Sequence, residues 1–138
     1  MPDCILGIST SKRKLEFCLP GLTTVKPYSV FVKGRPVTPA SSRLARHTGF
    51  NALVSRANGN LPAQCRDAAR FLKVNAGDFA HLSRSLGPGH MLFDFGLWDT
   101  STEERPWPTF RLPHGPITAA GRFGIDLELS FYGPPGKE

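Results

Sequence analysis

Two stretches late in the chain constrain its fold more than anything else in it. Met91, Phe93, Phe95 and Leu97 alternate with Leu92, Asp94 and Gly96, and Ile125, Leu127, Leu129 and Phe131 alternate with Asp126, Glu128, Ser130 and Tyr132. A period of two sends successive side chains to opposite faces of a strand. Strands of this kind bury one face and leave the other to water or a polar partner. The cover for the apolar face is visible in the sequence. Leu61, Cys65, Ala68 and Leu72 recur at the spacing of one helix face, behind the turn Asn58-Gly59-Asn60 and a Pro62 suited to a first helical turn. After the break Asn75-Ala76-Gly77, Asp78 caps a second helix on which Phe79, Leu82 and Leu86 line up.

The remaining elements are shorter. Cys4–Ile8 reads as a buried strand, and Ser11 caps a turn of helix running through Lys14, Leu15 and Cys18. Pro27–Lys33 is rich in β-branched and aromatic residues, and Gly49–Arg56 resumes a strand. Pro113 or Pro116 opens a short helix through Ala120 and Phe123, closed at Gly124. The expected fold is α+β. It is a largely antiparallel sheet of about five strands, helices packed on one face, arranged as a ferredoxin-like split βαβ with additions. No repeat and no Pro/Gly-rich linker divides residues 1–138, which predicts a single domain with an irregular basic loop at 34–48, a tryptophan-bearing loop at 98–108 and a flexible tail at 133–138.

No apolar run approaches the roughly 18 residues of a membrane span, and Met1-Pro2-Asp3 lacks the basic start of a signal peptide. Cys4, Cys18 and Cys65 are odd in number and far apart, which predicts a reducing, cytoplasmic setting.

Segments Gly49-Phe50-Asn51, Val54-Ser55, Gln64, Asp67-Ala68 and Phe71-Leu72-Lys73 resemble small bacterial proteins grouped as a domain of unknown function. The resemblance continues through Leu92–Gly96, Ala119-Ala120-Gly121 and Gly124–Tyr132, so that it spans residues 49–132. The matching positions are mostly packing and turn residues. The chain departs from the pattern in its long Asp99–Pro108 insertion. The resemblance implies an immunity-like or accessory role and supplies no catalytic residue.

The net charge of +6 is unevenly placed. Residues 1–66 carry ten bases and two acids, and no Asp or Glu lies between Glu16 and Asp67. The excess reads first as compositional, since 11 Arg against 6 Lys in a chain rich in Gly, Pro and Ala fits a coding bias, and the alternative reading is functional. A functional excess concentrates in the loop bearing Lys33, Arg35, Arg43, Arg46 and His47, interspersed with Thr38, Ser41 and Ser42. Guanidinium forks and hydroxyls are groups that grip carboxylates or phosphates. The expected partner is an acidic protein surface, the alternative a nucleic acid or other polyanion through the same residues, with no membrane and with a homodimer permitted. Aromatic interleaving typical of single-strand binders is lacking, and no zinc-finger or RNP pattern occurs.

Chemistry finds less support. Asp94-Phe95-Gly96 spells a kinase tripeptide but stands inside an alternating strand with none of the accompanying kinase motifs. His47, His81, His90 and His114 lie in separate segments, so no metal or cofactor is expected. Asp126 and Glu128 share a strand face about 7 Å apart, which suits a small hydrolase and equally suits a solvated face. The reading therefore leans against an enzyme. Trp98 and Trp107 are candidate interface residues, although folding back over the sheet edge is the favoured expectation for both.

Overall fold

The structure is a computed structural model and describes residues 2–10 and 19–133. Five strands, β1 (Cys4–Thr10), β2 (Ser29–Phe31), β3 (Thr48–Ser55), β4 (Met91–Trp98) and β5 (Ile125–Tyr132), form one sheet in the order β2-β3-β1-β4-β5. Three helices accompany them: α1 (Leu61–Val74), α2 (Ala76–Leu86) and α3 (His114–Arg122). The fold is α+β. β1 pairs antiparallel with both β3 and β4, which makes β3 and β4 parallel to each other across it. The passage β3-α1-α2-β4 is thus a split βαβ, and the additions are the short edge strand β2 and the strand β5, paired in parallel to β4.

The alternation sorts largely as the sequence predicts, except that Phe131 near the end of β5 is exposed and packs on Phe110 outside the core. Cys4, Leu6 and Ile8, Phe50 and Ala52, and Met91, Phe93, Phe95 and Leu97 are buried, and they form one core with Leu61, Cys65, Ala68 and Leu72 of α1, Phe79 and Leu82 of α2, and Ala120 of α3. Its centre is aromatic. Phe71, Phe79 and Phe93 meet edge to face at centroid separations of 5.8 to 6.4 Å, which adds directional contact to the area that they bury. The helices cover this face only.

Local chemistry sets the helix ends. The Asn60 side chain accepts the Ala63 N–H at 3.1 Å and starts α1. Asn75 separates α1 from α2: its backbone and side-chain N–H groups both donate to the Phe71 carbonyl, and its own carbonyl accepts the Phe79 N–H. Helix α2 consequently begins at Ala76, so Asp78 sits inside its first turn and is not the cap. The Asp78 carboxylate is 3% exposed and turns away to hold the segment before β2. It accepts the backbone N–H groups of Thr23, Thr24 and Val25 and the hydroxyls of Thr23 and Thr24, at 2.8 to 3.2 Å.

Two other expectations change. The strand predicted over 27–33 shortens to three residues: Pro27 has no N–H to donate, and Gly34, with φ of 83°, turns the chain. Thr48 already belongs to β3, and the stretch before it, expected to be irregular, is a distorted hairpin. The turn of helix predicted from Ser11 to Cys18 lies outside the described residues, as does all of the expected tail after Gly133.

Candidate functional site

The hairpin between β2 and β3 is built by backbone bonds, which is why residues without sequence periodicity hold a fixed shape. The Gly34 N–H donates to Ala45 O at 2.9 Å, Ala45 N–H to Arg35 O at 2.8 Å and Val37 N–H to Arg43 O at 2.9 Å, around a bridge between Pro36 and Leu44. Two of its hydroxyls serve the backbone. The Thr48 hydroxyl accepts the Lys33 N–H, and the Ser41 hydroxyl accepts the Arg43 N–H, both at 3.0 Å.

Lys33, Arg35, Arg43, Arg46 and His47 are all exposed, and among the described residues none of them has a salt-bridge partner. They do not form one cluster. Arg43, Arg46 and His47 line a shallow cavity of about 310 Å³ with Phe31, Val37, Leu44 and Ala45, whereas Lys33 and Arg35 stay on the hairpin outside it. The apolar members were missed in the sequence. Leu44 is 54% exposed and Val37 is also exposed, so the cations surround an uncovered apolar patch.

The sheet face opposite the helices carries a second concavity, of about 340 Å³. Tyr28 and Phe31 stand at the β2 side, Asn51, Ile5 and Gly7 occupy the middle, and Leu92, Asp94 and Glu128 close the other side. Gly7 lies on the central strand; a Cβ there would meet Asn51 Oδ1 and Leu92 Cγ at 3.6 Å, ordinary contact distance, so its bare backbone forms the floor. Asp94 and Glu128 are register partners across β4 and β5. The Ser130 hydroxyl donates to Asp94 Oδ1 at 2.6 Å and fixes that carboxylate. Burial pushes the Tyr28 phenol up, with the Tyr132 phenol and Asp3 adding to the effect, so its hydroxyl stays neutral. Phe31 belongs to both concavities and joins them.

Asp126 and Glu128 do project from one face, but Asp126 stands opposite Leu92 and outside the groove, while the immediate neighbour of Glu128 is Asp94. Among the described residues no three His, Cys, Asp or Glu side chains come together as metal ligands. The tryptophans part company. The Trp98 indole packs over Gly59, close enough that a Cβ there would clash at 2.3 Å. Trp107 is 79% exposed, which overturns the expectation that it folds back over the sheet edge. It lines an outer cavity of about 550 Å³ with Thr100, Arg105, Pro108, Thr109 and Phe110. Among the described residues no helix is long and apolar enough to cross a membrane.

The chain matches no protein-family model, no curated protein and no solved structure.

Proposed function

We propose that the protein is a non-catalytic binding or accessory protein, immunity-like in kind, that contacts an acidic protein surface through the hairpin 33–47. One observation carries this reading: Arg43, Arg46 and His47 share a cavity with the exposed apolar residues Val37 and Leu44 and with Phe31, and among the described residues no carboxylate lines it. Arginine set among apolar and aromatic groups is the composition of an interface centre, where desolvation strengthens each ion pair. A polyanion binder of the single-strand type lays out a run of rings on which successive bases can stack, and this cavity has the half-buried Phe31 ring and the His47 imidazole alone among the described residues. A reducing compartment fits the free, buried Cys4 and Cys65.

The test compares Arg43→Glu/Arg46→Glu with Arg66→Glu/Lys73→Glu, an equal charge change at exposed positions of α1. Binding of an acidic polypeptide and of a single-stranded oligonucleotide is titrated at several salt concentrations. Loss of polypeptide binding confined to the hairpin variant supports the reading. Equal loss in both variants refutes it, and tighter oligonucleotide binding with a steep log–log salt slope replaces it with the polyanion reading.

A further inference from the structure

We propose that the groove on the open sheet face receives the basic hairpin of a second copy of the chain, so that two copies dock reciprocally about a two-fold axis. The two surfaces are complementary in charge. Among the described residues, the groove is lined by two carboxylates, Asp94 and Glu128, and no base, whereas the hairpin cavity is lined by Arg43, Arg46 and His47 and no acid.

They are complementary in apolar character as well. The hairpin exposes Val37 and Leu44, and the groove offers Ile5, Leu92 and the rings of Tyr28 and Phe31 above a floor that Gly7 leaves open. A guanidinium suits such a groove because its plane stacks on an aromatic ring while its edge forks onto a carboxylate. The Ser130 hydroxyl holds Asp94 in one orientation beforehand, which lowers the ordering cost of that pairing.

Adjacency decides the symmetry. An isologous interface requires each copy to present both the donating and the receiving surface in one patch. Phe31 lines both concavities, so hairpin and groove adjoin on the same chain, and one two-fold axis near Phe31 brings each hairpin onto the opposite groove. Docking then closes at two chains and does not propagate. This inference rests on the hairpin being a contact element, the reading made above, and it adds that the second copy covers the same arginines that an acidic partner would use.

Sedimentation velocity over a wide concentration range, at low and high salt, tests it. The expected result is a concentration-dependent dimer that salt weakens. Glu128→Lys and Arg43→Glu/Arg46→Glu each alter exposed side chains, and each should raise the dimer dissociation constant about tenfold or more. Mixed in equal amounts, the two variants should form a heterodimer, since native hairpin then faces native groove and the acidified hairpin faces a groove whose net negative charge has been removed. Gly7→Leu, which fills the floor, should also give monomers. A native chain that stays monomeric at low salt overturns the proposal, as does a dimer indifferent to these changes or a mixture that stays monomeric. The two readings fail separately. Glu128→Lys leaves the hairpin intact, so a variant that binds acidic polypeptide like the native chain isolates the groove's contribution. Loss of hairpin-dependent polypeptide binding with the reciprocal dimer retained would remove the earlier reading alone.

Discussion

Asp78 offers the most quantitative prediction. Burial alone would push its carboxyl up, but the N–H groups of Val25, Thr23 and Thr24 and the Thr23 hydroxyl more than offset this and hold it at about 2, against an ordinary 3.8. That difference makes the ionised group about 2.4 kcal/mol more favourable in the folded chain than in the unfolded one. The folded value is the depressed one, so this stability is present above the unfolded value near 3.8 and is lost as pH falls through about 2. By the linkage relation, about 2.4 kcal/mol at pH 5 shrinks to about 0.4 kcal/mol at pH 2. Asp78→Asn keeps the shape but turns an amide toward N–H donors. It should therefore lie about 2–3 kcal/mol below the native chain at pH 7 and converge on it near pH 2. Asp78→Ala also strands the Val25 N–H in the interior and should cost about 3–5 kcal/mol at pH 7. Urea unfolding followed by tryptophan fluorescence at pH 7, 5, 3 and 2 reads both quantities. A gap between native and Asp78→Asn that does not change from pH 7 to pH 2 would refute the reasoning, since the stabilisation would then not come from the charge.

Other sites make sharp predictions. Gln64 is fully buried, and its amide nitrogen faces the carbonyls of Pro2, Ala57 and Gly96 at 2.8 to 3.0 Å. Gln64→Glu should be folded only with its carboxyl protonated, so its stability, measured by urea titration, should fall as pH rises above roughly 4.3, the opposite trend to Asp78. At Gly96 a Cβ would stand 2.7 Å from the backbone of Pro2 and Asp3, so Gly96→Ala should cost about 1–3 kcal/mol in the same assay, and an unchanged midpoint would count against that packing. Burial pushes the Cys4 and Cys65 thiols up, and in a Cys18→Ser background neither should react with a thiol reagent at pH 8 until urea is added.

What could be read from the sequence follows the range of the interaction. Strand alternation at 91–98 and 125–132 and the helix faces of Leu61–Leu72 and Phe79–Leu86 are set within a few residues, and they gave the covered sheet. The hairpin 33–47 was legible as a basic segment but not as a shape, because Pro36, Thr38 and Pro39 carry no period and its fold lies in backbone bonds to Ala45 and Arg43. Asp78 looked like a cap because an acid after Asn-Ala-Gly fits that local pattern. Its partners lie more than fifty residues away, at Thr23 to Val25, and no local pattern points there.

The open face was half visible. Asn51, Asp94, Asp126, Glu128 and Ser130 all occupy the polar positions of their strands, a signal that marks one sheet face as uncovered. Which of them meet depends on register, and register is a tertiary property: the β4-α3-β5 crossover sets Glu128 beside Asp94 and leaves Asp126 opposite Leu92. Asp126 and Glu128 stand out in the sequence because i, i+2 spacing is what one strand can display. A parallel neighbour supplies the nearer carboxylate, and Gly7, a residue that offers no side chain at all, supplies the floor that makes the face concave. The charge asymmetry of the chain thereby becomes local. Among the described residues, the hairpin arginines and the groove carboxylates have no salt-bridge partner, and Phe31 links the two concavities that hold them, so that one exposed surface carries both signs, an arrangement that suits self-association better than one-sided polyanion binding.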